Sequence, residues 1–167
     1  MSYFSTEKRI NLSAIGIYTT GSNSVGTSYV DLATFSTDIQ AQIASSIGYP
    51  TITTNSITID LEAGWKYLID FRMKVSDTSP TTSENVRYRI VDTSDVVLSS
   101  IGSCSILSDD VFQYAQEKCI AYIDATAAMQ TFKTQAIKIG DGTIDVNSSV
   151  NAGNTNFRMH LFIKAWR

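Results

Sequence analysis

The 167-residue chain carries 13 Lys and Arg against 16 Asp and Glu, a net charge of −3, and only 17% of its residues are charged. That length suits one domain with a sizeable core, and the composition excludes a disordered polyelectrolyte. No cluster of Lys and Arg offers itself to nucleic acid, and no apolar run reaches the ~20 residues that a membrane helix needs.

The segment from Met1 to Arg9 lacks the basic-then-apolar order of a signal peptide, so a soluble protein beginning at its own methionine is expected. The two cysteines, Cys104 and Cys119, are then expected to stay reduced and structural, with a disulfide between them as the alternative.

Turn signals recur at short intervals from there on. Candidate strands cover residues 10–19, 28–32, 51–54, 56–61, 65–75, 86–92, 96–106, 118–125, 130–139 and 157–166. Between them stand Gly21-Ser-Asn-Ser24, Glu62-Ala-Gly64, the stretch 77–85 with Pro80, Asp92-Thr-Ser-Asp95, Gly140-Asp-Gly142 and Asn151-Ala-Gly-Asn154. Gly tolerates positive φ, and Asn or Asp satisfies nearby backbone, so each of these favours a turn.

One stretch departs from this rhythm. Ile39, Ala41, Ile43, Ala44 and Ile47 have helical spacing between a Ser36-Thr37 cap and Gly48, which predicts a short helix in the N-terminal third. Residues 109–116 are a second helical candidate, with an irregular loop as the alternative.

The clearest strand follows Glu62-Ala-Gly64. Trp65, Tyr67, Ile69, Phe71, Met73 and Val75 share one parity while Lys66, Asp70, Arg72 and Lys74 take most of the other, a period of two that no helix can present as a single face. The last strand repeats the pattern: Phe157, Met159, Leu161, Ile163 and Ala165 alternate with Arg158, His160, Phe162, Lys164 and Trp166, as in a strand that closes its sheet. No repeat or linker divides the chain, so one all-β domain over residues 10–167 is expected behind a short segment, 1–9.

Taken together, Ile57-Thr-Ile-Asp-Leu-Glu-Ala-Gly-Trp-Lys-Tyr-Leu-Ile-Asp-Phe71, then Val86-Arg-Tyr-Arg-Ile-Val-Asp-Thr93, and the closing Ala165-Trp-Arg167 resemble the jelly-roll domain of tailed-phage virion proteins. In plan that domain is similar to the C1q and tumour-necrosis-factor jelly rolls. The resemblance covers roughly residues 56–167 and rests on short motifs; residues 1–50 lie outside it. It implies an antiparallel jelly-roll sandwich, assembled as a homotrimer on a virus particle.

The implied partners are the major capsid protein or tail proteins of the virion, with host surface glycan a further one, and neither nucleic acid nor membrane. Capsid decoration is preferred to a tail-fibre or tail-tip knob, because a fibre protein normally adds a shaft before its knob and here little precedes the first strand. A carbohydrate-binding jelly roll is the third reading. Tyr3 and Phe4, in the polar segment 1–9, are expected to anchor the protein to the particle by burial.

Four residues break the alternation in a way that fits an assembly. Leu68, Val91, Phe162 and Trp166 occupy the parity otherwise held by Lys66, Arg72, Arg87, Arg89, Arg158 and Lys164, so they are expected to form the contact between copies. Cover by the protein's own chain is the competing expectation.

Catalytic chemistry has little to stand on. His160 is the only histidine, and no Ser or Cys near it forms a nucleophile motif, so no catalytic residue is expected. Cys104, Cys119 and His160 lack the paired spacing of a zinc site. Asp141 and Asp145, with Asp109 and Asp110, offer hard oxygens but not the ligand ladder of a calcium loop, and solvated turns are the expected reading. Neither a cofactor nor a metal is expected.

Overall fold

The computed structural model describes residues 10–14, 23–32, 50–54, 57–72, 74–76, 84–106, 112–114, 117–127, 129, 131–139, 144–146 and 160–166. Every regular element among them is a strand: β1 (Ile10–Ala14), β2 (Asn23–Val25), β3 (Val30–Asp31), β4 (Ile52–Thr54), β5 (Thr58–Leu61), β6 (Lys66–Arg72), β7 (Lys74–Ser76), β8 (Glu84–Asp92), β9 (Gly102–Ile106), β10 (Phe112–Tyr114), β11 (Cys119–Asp124), β12 (Thr131–Ile139), β13 (Ile144–Val146) and β14 (His160–Trp166). All their pairings are antiparallel. The helix expected between Ser36 and Gly48 lies outside the described residues. The second helical candidate is corrected, since Phe112–Tyr114 pairs with Lys74–Ser76 as a strand. Phe112 and Tyr114 alternate about Gln113, a period of two that fits a sheet edge.

The turn before β6 shows how local chemistry sets the frame. Gly64 has φ of 83°, a left-handed conformation that favours glycine, and its N–H donates to the Ala125 carbonyl at 2.7 Å. Ala125 N–H donates back to the Trp65 carbonyl at 2.9 Å, which fixes where β6 and β11 begin to pair. Glu62 ties the corner together. Its carboxylate accepts from Thr51 N–H at 2.6 Å and Trp65 Nε1 at 3.3 Å, and its carbonyl accepts from the Tyr67 hydroxyl at 3.1 Å.

Among the described residues the strands form three sheets. The first has the order β1-β14-β6-β11; the second, small one is β10-β7-β13-β2; the third runs β4-β5-β12-β8-β9, with β3 also on β12. The expected strand over residues 65–75 is thus divided: β6 belongs to the first sheet, and after Met73 the chain continues as β7 in the second.

Among the described strands, those of four residues or more pair in a nested way. The first pairs with the last (β1 with β14), the second with the seventh (β5 with β12), the third with the sixth (β6 with β11), and the fourth with the fifth (β8 with β9). The seam between the first and third sheets is stitched on one side. Ser103 and Glu117 exchange backbone bonds at 3.2 and 3.1 Å, and Ser100 N–H donates to the Ile120 carbonyl at 2.9 Å.

The first and third sheets share one core. Tyr67, Ile69, Phe71, Ala121, Ile123, Leu161 and Ile163 from one meet Ile59, Leu61, Val86, Tyr88, Ile90, Phe132 and Ala136 from the other. Phe71 and Tyr88 join the two layers edge to face, with ring centroids 5.4 Å apart at 88°. Each fully buried side chain of this size contributes about 1.5–3 kcal/mol, so the alternation within β6, β11 and β14 is the main reason they stay in this register. Cys104 and Cys119 are buried in the same core and are not joined by a disulfide. Burial pushes the Cys119 thiol up to about 11, against the bond to Ser99 Oγ at 2.9 Å, which works the other way.

Candidate functional site

Alternation that buries one face of the first sheet must expose the other, and there the apolar residues are unusual. In β6 the outward positions are Lys66, Leu68, Asp70 and Arg72. From β11 come Ile120, Tyr122 and Asp124, preceded by Lys118, and from β14 come Lys164 and Trp166. Tyr122 stands opposite Leu68, and Lys164 faces Leu68 from the other side. Tyr122 is 55% exposed and Ile120 37%, while Leu68 and Trp166 are half-buried. The Tyr122 and Trp166 rings lie 5.8 Å apart, tilted by 47°. Together these four side chains form an apolar stripe among outward residues of β6, β11 and β14 whose other described members are charged.

Beside the stripe is an open groove of about 320 Å³, lined by Leu68, Asp70, Arg72, Lys118, Ile120 and Lys164. Asp70 accepts from Arg72 Nε at 3.1 Å and Nη2 at 3.0 Å, and Lys118 Nζ stands 3.5 Å from the same carboxylate. The hydrogen bond to Asp70 holds the Arg72 guanidinium above its ordinary value. The floor is aliphatic, and the walls are mostly cationic.

The outer face of the third sheet is built differently. Lys133 Nζ donates to Asp31 at 2.9 Å and to Asp95 at 2.8 Å, and Gln135 Nε2 donates to the same two carboxylates at 2.8 and 2.7 Å. Gln135 Oε1 accepts two bonds from Arg89, whose guanidinium lies 3.6 Å from the centre of the Tyr29 ring. This network fastens β3 and the turn at Asp92–Asp95 to β12, and its donors and acceptors are matched within the chain.

The residues expected at a contact between copies therefore divide. Leu68 and Trp166 share the outer face of the first sheet. Val91 does not join them: it belongs to β8 in the third sheet and is fully buried. Lys133 is its partner on one side and Val97 on the other, because the chain doubles back after Asp95. For Val91, cover by the protein's own chain is what is seen. Phe162 pairs with Asp70 and Ser13 in the backbone register, and its side chain is outside the described residues. Tyr3, Phe4, Asp109, Asp110 and Asp141 also lie outside them; Asp145 sits in β13, and His160 opens β14 opposite Arg72.

Sequence reasoning missed Ile120 and Tyr122. The signal was present, since Lys118, Ile120, Tyr122 and Asp124 share one parity, with charges at the two ends and apolar residues between. Among the described residues no group of three His, Cys, Asp or Glu side chains is arranged to hold a metal ion. No protein-family model matches the sequence, and no curated protein does either.

Proposed function

We propose that the chain is a non-enzymatic structural protein of a tailed-phage particle, a jelly-roll homotrimer that decorates the capsid and binds the major capsid protein. The jelly-roll reading is supported by the nested pairing. A ribbon in which strand one pairs with eight, two with seven, three with six and four with five, wrapped into two sheets, is the jelly-roll plan. The motifs at Ile57–Phe71, Val86–Thr93 and Ala165–Arg167 supply the virion context.

The single observation that carries the homotrimer is the stripe of Leu68, Ile120, Tyr122 and Trp166. Apolar area of this kind is worth about 25 cal/mol per Å² when a partner removes it from water. Attachment to the head falls to the segment 1–9 with Tyr3 and Phe4, too short and polar for a core of its own. The test is binding to undecorated heads. The intact protein binds in regular symmetry positions, and the protein lacking residues 2–9 stays folded but does not bind; unchanged binding by the truncated protein overturns the anchor.

A second reading is favoured by the tilted Tyr122–Trp166 pair, since paired exposed aromatics suit stacking on a sugar ring. On that reading the protein is a tail-tip or fibre knob that recognises host glycan. Binding to host cells rather than heads selects it.

A further inference from the structure

Resting on the homotrimer reading, we infer that the groove between Lys118 and Lys164 receives an acidic side chain from a second copy of this chain. The argument begins with charge. The described residues of this face carry four cations, Lys66, Arg72, Lys118 and Lys164, against two carboxylates, Asp70 and Asp124. The whole chain has a net charge of −3, so the face stands at +2 and the remainder at −5. A basic face on an acidic protein complements the rest of its own surface.

The same balance decides the geometry of contact. Two copies meeting groove to groove would set cation against cation, which is unfavourable. A heterologous contact, basic face of one copy on an acidic surface of the next, matches opposite charges and closes into a ring under a threefold rotation. The shape of the groove selects the occupant. Leu68 and Ile120 give an aliphatic floor rather than an aromatic one, suited to the methylenes of a Glu or Asp side chain and its neighbours. Lys118 projects from just before β11 and Lys164 from β14, so they bracket β6 and meet a carboxylate from two sides. The apolar stripe supplies the buried area, and the groove supplies orientation.

The test compares the wild type with K118E/K164E by sedimentation in about 0.05 M and about 0.5 M NaCl, across the range in which exposed pairs become screened. Wild-type trimers are expected to dissociate roughly tenfold more readily at high salt, and the reversed variant to be roughly tenfold weaker at low salt with no further loss. K118Q/K164Q, which removes charge without creating any, guards against misfolding and is expected to fall between. Carbodiimide cross-linking with mass spectrometry is expected to join Lys118 or Lys164 to a carboxylate of another copy. Trimers indifferent to salt and to both variants, or cross-links confined to Lys118 and Asp70 of one copy, overturn the groove and leave the trimer standing. A wild-type chain that is monomeric under every condition removes the trimer itself, and the groove's role with it.

Discussion

The ring of Tyr88 occupies the space that a side chain on Gly102 would fill. The two residues are direct partners across β8 and β9, and a Cβ on Gly102 would overlap the ring atoms. Tyr88 can therefore lie against its neighbour strand, meet Phe71 edge to face, and donate its hydroxyl to the Glu117 carbonyl at the seam between the sheets. Burial raises the Tyr88 hydroxyl well above its ordinary value, which keeps it a donor.

Gly102→Ala is accordingly expected to destabilise the fold by about 1–3 kcal/mol, the usual range for overpacking a core. Tyr88→Phe keeps the ring and loses only the hydroxyl, for about 1 kcal/mol. Urea unfolding of the two variants checks the order. A Gly102→Ala protein as stable as wild type would mean the ring is not held there.

Asp95 adopts φ of 66°, uncommon for a residue other than glycine, and its carboxylate is held below the usual range chiefly by the hydrogen bond from Lys133. Its folded pKa lies below its unfolded one, so the native state binds fewer protons. The stability it contributes is full above the ordinary carboxylate value of about 4 and drains as the pH falls through the folded value. Lys133 is raised chiefly by the same hydrogen bond, so its share is full below the ordinary lysine value and is lost only as the pH climbs past its folded one. Between these limits the pair is insensitive to pH. Asp95→Asn tolerates the left-handed turn but lacks the charge, and is expected to flatten the acid limb; Asp95→Ala adds backbone strain and is expected to be the less stable of the two. Thermal melts from pH 2 to 7 decide both points, and an unchanged acid limb in Asp95→Asn would assign that limb to other carboxylates.

Much of this was legible in the sequence, for a physical reason. Where one face is buried and the other wet, as in β6, β11 and β14, the period of two is written into the residues themselves. The division of the expected strand into β6 and β7 was not legible, because parity continues unbroken in the sequence from Phe71 to Val75 while the hydrogen-bond partners change from β14 and β11 to β10 and β13. Val91 was misleading in the same way. Its parity is outward, but its cover comes from the return of the chain after Asp95, a feature of turn geometry rather than of periodicity. The short strands β2 and β13 have three residues each, too few for any pattern to stand out from a turn.

Cys119 offers a separate check on the core. A rise from an ordinary 9.0 to about 11 lowers its thiolate fraction about a hundredfold near neutrality, and burial limits access further. Alkylation of the native protein is expected to be slow at pH 7.5 and to become rapid in denaturant, while mild reductant leaves the melting temperature unchanged. Because the folded value is the higher one, this thiol's contribution is full below about 9 and is lost as the pH rises toward 11. Rapid alkylation of both thiols without denaturant would contradict their place in the core.

Assembly through the outer face of the first sheet is the claim on which the functional account depends, and the mass of the purified protein in solution tests it most directly. Sedimentation equilibrium at micromolar concentration is expected to give about 55 kDa, three copies of the 18.3 kDa chain, and a Tyr122→Asp variant is expected to sediment as a folded monomer. A well-folded wild-type protein at 18.3 kDa would contradict the account, as would a Tyr122→Asp protein that remains a full trimer.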